Sequence, residues 1–341
     1  MSGICLQAAT YYIDPTYSGT HTGTISQPLN TLSSVSSNTT YLFKGGTTFH
    51  ANNNIGGTVD NCTIATYGTG KATILFNTSV SGRLVNLLGQ NNTIQNLNVF
   101  TNNHYGSVNG NVDPNACTCV ELYITGGRGT LKNIATKGGW RGIVGGHYGY
   151  YTGTMIIDSC SVDTIQSDGF YVTYLDSLIV HKAKSTNCNI NWANDYGGDS
   201  FQEGNTLHII FDSCYLDHYA YPGKYSLICN DYYEAQITNC YFRSYNGEGC
   251  MYPSSSDSSY FTATNITNCV FDGGMRGIEN RSDNTVITNC LFKANPVTRF
   301  AIDAVVKLSC TNCTFVGYRD TIISTFGTSG VHYSTLNNNI F

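Results

Sequence analysis

Ile237-Thr-Asn-Cys-Tyr-Phe242, Ile266-Thr-Asn-Cys-Val-Phe271 and Ile287-Thr-Asn-Cys-Leu-Phe292 are copies of one phrase. Ile156-Ile-Asp-Ser-Cys-Ser-Val162, Ile210-Phe-Asp-Ser-Cys-Tyr-Leu216 and Cys310-Thr-Asn-Cys-Thr-Phe315 are variants of it, and weaker copies continue toward the N-terminus. With the fourth residue as reference the series runs Cys62, Leu97, Ile134, Cys160, Cys188, Cys214, Cys240, Cys269, Cys290 and Cys313. The preceding residue is Asn at 61, 96, 133, 187, 239, 268, 289 and 312, and Ser at 159 and 213. A repeat of this period, with alternating apolar positions and no helical pattern, is the signature of a β-solenoid whose coils touch only their neighbours. A sandwich or a propeller produces no such ladder.

The phrase has a physical reading. Asn tolerates the left-handed backbone that a one-residue corner between two strands demands, and its amide can bond the same amide one coil away. Strand alternation then turns the Ile before the corner and the Cys and Phe after it inward, like stacked on like. Stacked thiols on parallel strands have side-by-side Cβ vectors, so most of the 14 cysteines are expected as buried free thiols. Cys117 with Cys119, and Cys310 with Cys313, are the locally paired exceptions that suit a bridge. No second C-x-x-C or His pair stands at zinc-ligand spacing.

Composition agrees with a β-rich chain. Charged residues make up only 11%, while Gly (36) and Tyr (25) are abundant and Pro is scarce (6). A net charge of −5 without any basic run gives nucleic acid no electrostatic footprint. No apolar stretch reaches the ~18 residues of a membrane span. Residues 1–10, with a short apolar patch ending in Ala-Ala, read as the tail of a signal segment. Residues 11–341 read as one domain, in which 11–50 form an N-terminal cap and first coil. Sequons at Asn38, Asn61, Asn77, Asn91, Asn265, Asn280 and Asn312 suit a secreted or cell-surface glycoprotein.

The segment Tyr11-Tyr-Ile-Asp-Pro-Thr-Tyr-Ser-Gly-Thr-His-Thr-Gly-Thr-Ile-Ser-Gln-Pro-Leu-Asn-Thr-Leu32, followed by Leu42-Phe-Lys-Gly-Gly-Thr-Thr-Phe49, resembles the opening of secreted proteins of the pectate-lyase-like superfamily. The resemblance covers nearly the whole chain. It implies an all-β fold: a single-stranded right-handed parallel β-helix of about ten or more coils. The wide spacing between Cys62 and Ile134 implies looped-out insertions, His104 to Thr118 the clearest.

The same resemblance implies where carbohydrate chemistry would sit, on one strand face some 7 to 11 residues after each ladder position. That strand carries Arg141-Gly-Ile-Val, Asp168-Gly-Phe-Tyr-Val-Thr, Asp199-Ser-Phe-Gln-Glu, Lys224-Tyr-Ser-Leu-Ile-Cys, Gly249-Cys-Met-Tyr, Arg276-Gly-Ile-Glu-Asn-Arg and Phe300-Ala-Ile-Asp. Asp168, Asp199 and Lys224 fall at nearly equivalent positions on consecutive coils, roughly 5 to 10 Å apart, the spacing that paired-carboxylate glycoside hydrolysis requires. Asp168-Gly-Phe and Gly198-Asp-Ser-Phe resemble the Asp-Gly and Gly-Asp-Asp motifs of polygalacturonase-type glycosidases, but a single Asp replaces the pair and the Gly-His-Gly motif is missing. The chain also resembles β-helix lyases of the chondroitinase B kind, which implies Lys224 as base with an arginine beside it. Arg276 stands two coils away, not one. His218, beside Asp217, adds an acid or base on the approaching turn.

Tyr171, Gln202, Arg141, Arg276, Glu279 and Arg281 are the expected substrate-binding residues, with Tyr174, Tyr219, Tyr221, Tyr225, Tyr232 and Tyr233 bracketing the face as sugar platforms. Each has a plainer reading: a corner carboxylate caps a turn, and a surface Arg or Lys pairs with a neighbouring acid. Two functions are therefore expected. One is an extracellular protein that binds and cleaves a polysaccharide, by hydrolysis or by uronate elimination. The other is a non-catalytic adhesin, fibre or spike subunit with end-to-end self-association through its terminal strands. No motif calls for a cofactor, although Ca2+ is compatible with the acidic corners.

Overall fold

A computed structural model describes residues 8–32, 34–77, 80–102, 107–108, 111–112, 116–146, 149–188, 198–218, 224–245, 247–254, 263–282, 284–304, 307–318, 322–325 and 334–341. The described residues form strands, bends and turns without a helix, and the repeating strands pair parallel to their equivalents one coil away. A coil reads, for example, Glu234–Thr238, a corner at Asn239, Tyr241–Ser244, a turn, and Gly249–Ser254. These three strands lie on three faces, termed first, second and third in that order. The second face is an 11-stranded parallel sheet of its own. The solenoid has about ten turns.

The corner between the first and second faces is built as the phrase requires. Asn96, Asn133, Ser159, Lys182, Ser213, Asn239, Asn268, Asn289, Asn312 and Asn338 all stand at φ between 50° and 57°. From Asn96 to Asn312 their backbone N–H groups donate to the carbonyl of the coil ahead, as from Asn239 to Thr267 and from Asn268 to Thr288. Amides chain along the axis: Asn133 Nδ2 donates to Asn96 Oδ1 at 2.9 Å and Asn268 Nδ2 to Asn239 Oδ1 at 3.3 Å.

Two members of the sequence series belong elsewhere. Asn61-Cys62 sits at the corner between the third and first faces, where Asn38, Asn61 and Asn91 form a second short ladder with amide bonds of 2.9 and 3.2 Å. Asn187-Cys188 ends a second-face strand, Lys184–Thr186. The true corner of that coil is Lys182, whose N–H donates to Asp212 O, and Ala183 takes the inward place. A column of polar side-chain contacts spans this interruption. His181 lies 3.2 Å from Asp158 Oδ1 and 3.3 Å from Asp212 Oδ2, and Asp212 Oδ1 in turn accepts from Asn239 Nδ2 at 2.9 Å, where the amide ladder resumes.

Inside, Phe242, Phe271, Phe292 and Phe315 stack, and the exposed Phe341 closes the row, with centroids 4.8 to 5.3 Å apart and planes within 19°. All thirteen described cysteines are buried free thiols, and the pairs Cys117/Cys119 and Cys310/Cys313, expected as exceptions, are free as well. Burial pushes the thiols of Cys62, Cys160 and Cys188 up to about 12. Strand Ala9–Ile13 pairs in parallel with Thr39–Lys44, so the boundary drawn at residue 10 falls inside the first coil; residues 1–7 lie outside the described set. Of the insertion expected at 104–118, the described part is an antiparallel pair, Ser107–Val108 with Asn111–Val112, and the start of a third-face strand from Cys117. The sequon at Asn280 is closed in the folded chain, because that residue is 0% exposed.

Replacing Asn239 with alanine forces a Cβ-bearing residue without a local amide into the left-handed region, at a cost of about 1–3 kcal/mol. Asn239→Gly loses the same amide bonds but keeps the backbone at ease. The expected order of melting temperatures is wild type, then N239G, then N239A. Thiol titration of native protein is expected to leave the thirteen buried cysteines unreacted until denaturant is added, and unreduced protein should show no mass deficit from a bridge.

Candidate functional site on the third face

Third-face strands carry two outward columns, three residues apart along each strand. The first runs through Arg83, Thr118, Arg141, Asp168, Asp199, Tyr225, Gly249 and Arg276, by the pairing register of their strands and a two-residue step back from Phe170 and Phe201. The second runs through Glu121, Val144, Tyr171, Gln202, Ile228, Tyr252, Glu279 and Asp303. Two charged clusters occupy these columns.

In the first cluster, Arg141 Nε donates to Asp168 Oδ2 at 3.1 Å. Its guanidinium lies 4.3 Å from the Trp140 ring centroid and 4.0 Å from that of Tyr171, a cation held between two aromatic faces. Asp168 Oδ1 accepts the backbone N–H of Asp199 at 3.1 Å, and Asp199 Oδ1 accepts that of Tyr225 at 2.7 Å. Both carboxyls are almost fully buried, at 3% and 2% exposure. Burial pushes the Asp168 carboxyl above the usual range against the pull of Arg141. Asp199 is pushed well above it, first by burial and then by the charge of Asp168. Further along, Arg83 Nε lies 2.9 Å from Glu121 Oε1, and burial pushes Glu121 up to about 7 despite Arg83 and Arg141.

In the second cluster, Tyr225 Oη donates to Glu279 Oε2 at 2.5 Å, and Arg281 Nη2 donates to Glu279 Oε1 at 2.8 Å. Arg276 reaches both Glu279 Oε2 at 3.1 Å and Asp303 Oδ2 at 3.0 Å. Despite its burial, Glu279 is held below the usual carboxylate range by these donors.

The structure thus brings Asp168, Asp199, Arg141, Tyr171 and Gln202 together, and separately gathers Arg276, Glu279 and Arg281. It displaces two others. The residue equivalent to Asp168 and Asp199 on the next coil is Tyr225, one position after Lys224, whose side chain is exposed at the start of the strand. His218 ends the second-face strand Tyr215–His218 and points inside the coil at 1% exposure, away from the third face. Tyr232 is a core residue at 0% exposure, bonded to Thr264. Tyr219 and Tyr221 lie outside the described residues. Glu121, Arg83, Trp140, Tyr252 and Asp303 were not singled out from sequence. The three-residue step that links Arg276 to Glu279 finds two of them, Glu121 from Thr118 and Asp303 from Phe300.

No protein-family model and no curated protein matches the chain. Among solved structures it superposes on a rhamnogalacturonan lyase with a TM-score of 0.59 at 12% identity, over 97% of this chain and 87% of that one. It also superposes on the catalytic domain of a GH87 α-1,3-glucanase in complex with nigerose, with a TM-score of 0.56 at 14% identity, over 88% of this chain and 64% of that one. What is shared at such identities is the fold alone, a parallel β-helix.

Proposed function

We propose that the third face binds a polysaccharide and hydrolyses it, with Asp199 as proton donor and Asp168 as the opposing carboxylate. The observation that carries this reading is the Asp168–Asp199 pair itself. The two acids stand one coil apart, with strands about 4.8 Å apart along the axis, a backbone spacing compatible with the roughly 5–5.5 Å between carboxyls of retaining glycosidases. Their surroundings push their proton affinities apart, which is how paired acids acquire different roles. Arg141 and the Asp199 N–H favour the ionised form of Asp168. Burial and the neighbouring charge keep the proton on Asp199.

Hydrolysis is favoured over elimination by the placement of the cations. Lys224 precedes the column, and the next residue in register after Tyr225 is Gly249, so among the described third-face residues no arginine adjoins it on the coil a lyase pair would use. Trp140 and Tyr171 supply aromatic surface beside the pair. The superposition on carbohydrate-acting β-helices supports this reading through fold only. The backbone bonds to both carboxylates favour a second one, in which Asp168 and Asp199 are struts of a glycan-binding but non-catalytic face.

Incubation with a broad panel of polysaccharides, followed for new reducing ends and for absorbance near 235 nm, separates the outcomes. Expected are reducing ends without unsaturated product, retained anomeric configuration, and a loss of about 10²–10⁴-fold in Asp199→Asn and Asp168→Asn. Silence of folded wild type across the panel, with D199N merely less stable, would establish the strut reading. The pH dependence has a fixed sign. Asp199 acts in its neutral form, so activity persists above the ordinary carboxylate range, near pH 4 to 5, and is lost as pH rises through its raised value.

A further inference from the structure

We infer that Tyr225, Tyr252, Arg276, Glu279, Arg281 and Asp303 form a subsite for a neutral, hydroxyl-bearing sugar unit rather than for a uronate or sulfated one. The inference rests on the reading that the third face holds a polysaccharide, and it narrows the substrate class.

The cluster closes over a glycine. Gly249 stands between Tyr225 and Arg276 in the first column, and a Cβ there would lie 2.9 Å from Tyr225 Cε1 and 2.9 Å from Arg276 O. Without that Cβ the Tyr225 ring lies across the coil and its hydroxyl reaches Glu279, two coils from its own. The Tyr252 ring backs it at 5.1 Å. Glu279 is then fully engaged, with Tyr225 and Arg276 on one oxygen and Arg281 on the other.

Asp303 is not. Its Oδ2 takes Arg276, but Oδ1 is buried and accepts no hydrogen bond from any described residue. A buried carboxylate oxygen left in this state is costly and selects a ligand that donates to it.

Charge decides which donor. Two guanidinium groups face two carboxylates, so the cluster is balanced without a ligand. A carboxylate or sulfate would bring a third anion against Asp303 and offer Oδ1 no proton. A sugar hydroxyl does what the site lacks: it donates to Asp303 Oδ1 and can accept from the Arg276 guanidinium on the other side of the same carboxylate. Neighbouring hydroxyls of one pyranose ring present this donor and acceptor pair together, with the tyrosine rings as apolar wall.

The test is binding, not cleavage. Wild-type protein in the cold is titrated with neutral hexose oligosaccharides, oligogalacturonates and sulfated oligosaccharides of equal length. A neutral class is expected to bind best, Asp303→Asn to weaken it about 10-fold or more, and Asp303→Asn to close the gap to the uronates. Tyr225→Phe, which keeps the backbone N–H given to Asp199, should weaken the same ligand. Preference for a uronate, or unchanged affinity in folded D303N, would overturn the subsite and leave the hydrolase reading standing. Absence of binding to every glycan would remove both. Should D303N fold poorly, crystals of wild type soaked with the neutral ligand decide: a hydroxyl within hydrogen-bond distance of Asp303 Oδ1 is expected, and sugar density confined to other parts of the face would overturn the proposal.

Discussion

One backbone conformation holds this molecule in shape. A residue at φ near +55° lets a strand leave one face and enter the next within a single residue, and ten successive first-to-second corners use it. Corners of the same kind recur between the third and first faces at Asn38, Asn61, Asn91, Tyr174, Asn205 and Asp231. Such corners disfavour most side chains, so the positions select Asn and Gly unless neighbouring groups compensate. Where Ser159, Lys182 and Ser213 replace Asn, the side chains of the preceding residues Asp158, His181 and Asp212 link the coils by their contacts instead.

Everything in the interior follows from the coils staying in register. Phenylalanine stacks on phenylalanine and thiol lies near thiol because each coil repeats the inward positions of the last. A one-residue slip would put Ile and Phe in water and turn Thr and Tyr inward. The coils between ladder corners vary from 21 to 37 residues without disturbing these columns, because the extra residues leave at turns.

How much of this was legible depended on the corners. Asn-Cys-aromatic phrases after residue 210 gave the register correctly, since every copy stands at the same corner. Earlier, Asn61-Cys62 and Asn187-Cys188 match the phrase equally well but close other bends, because a left-handed Asn followed by an inward Cys satisfies any corner of the coil. Lys182-Ala183 carries no mark that local preference could reveal; only the pairing of Val180 with Phe211 places it. On the third face, Asp168 and Asp199 were legible as neighbours from sequence. Spacing from the ladder makes Lys224 look like their equivalent, whereas the register falls on Tyr225. Glu121 was hidden inside the apolar run of Cys117–Ile124, where alternation reads it as an ordinary strand position.

Gly249 and the column it interrupts have a consequence for how such a face can change. Strand pairing runs only to the coil before and the coil after, so distances along the groove come in whole coils. Asp168 and Asp303 are five coils apart, about 24 Å. Gain or loss of one coil would shift one charged cluster against the other by a fixed step while leaving the internal geometry of each untouched. The separation of the two clusters is therefore quantised.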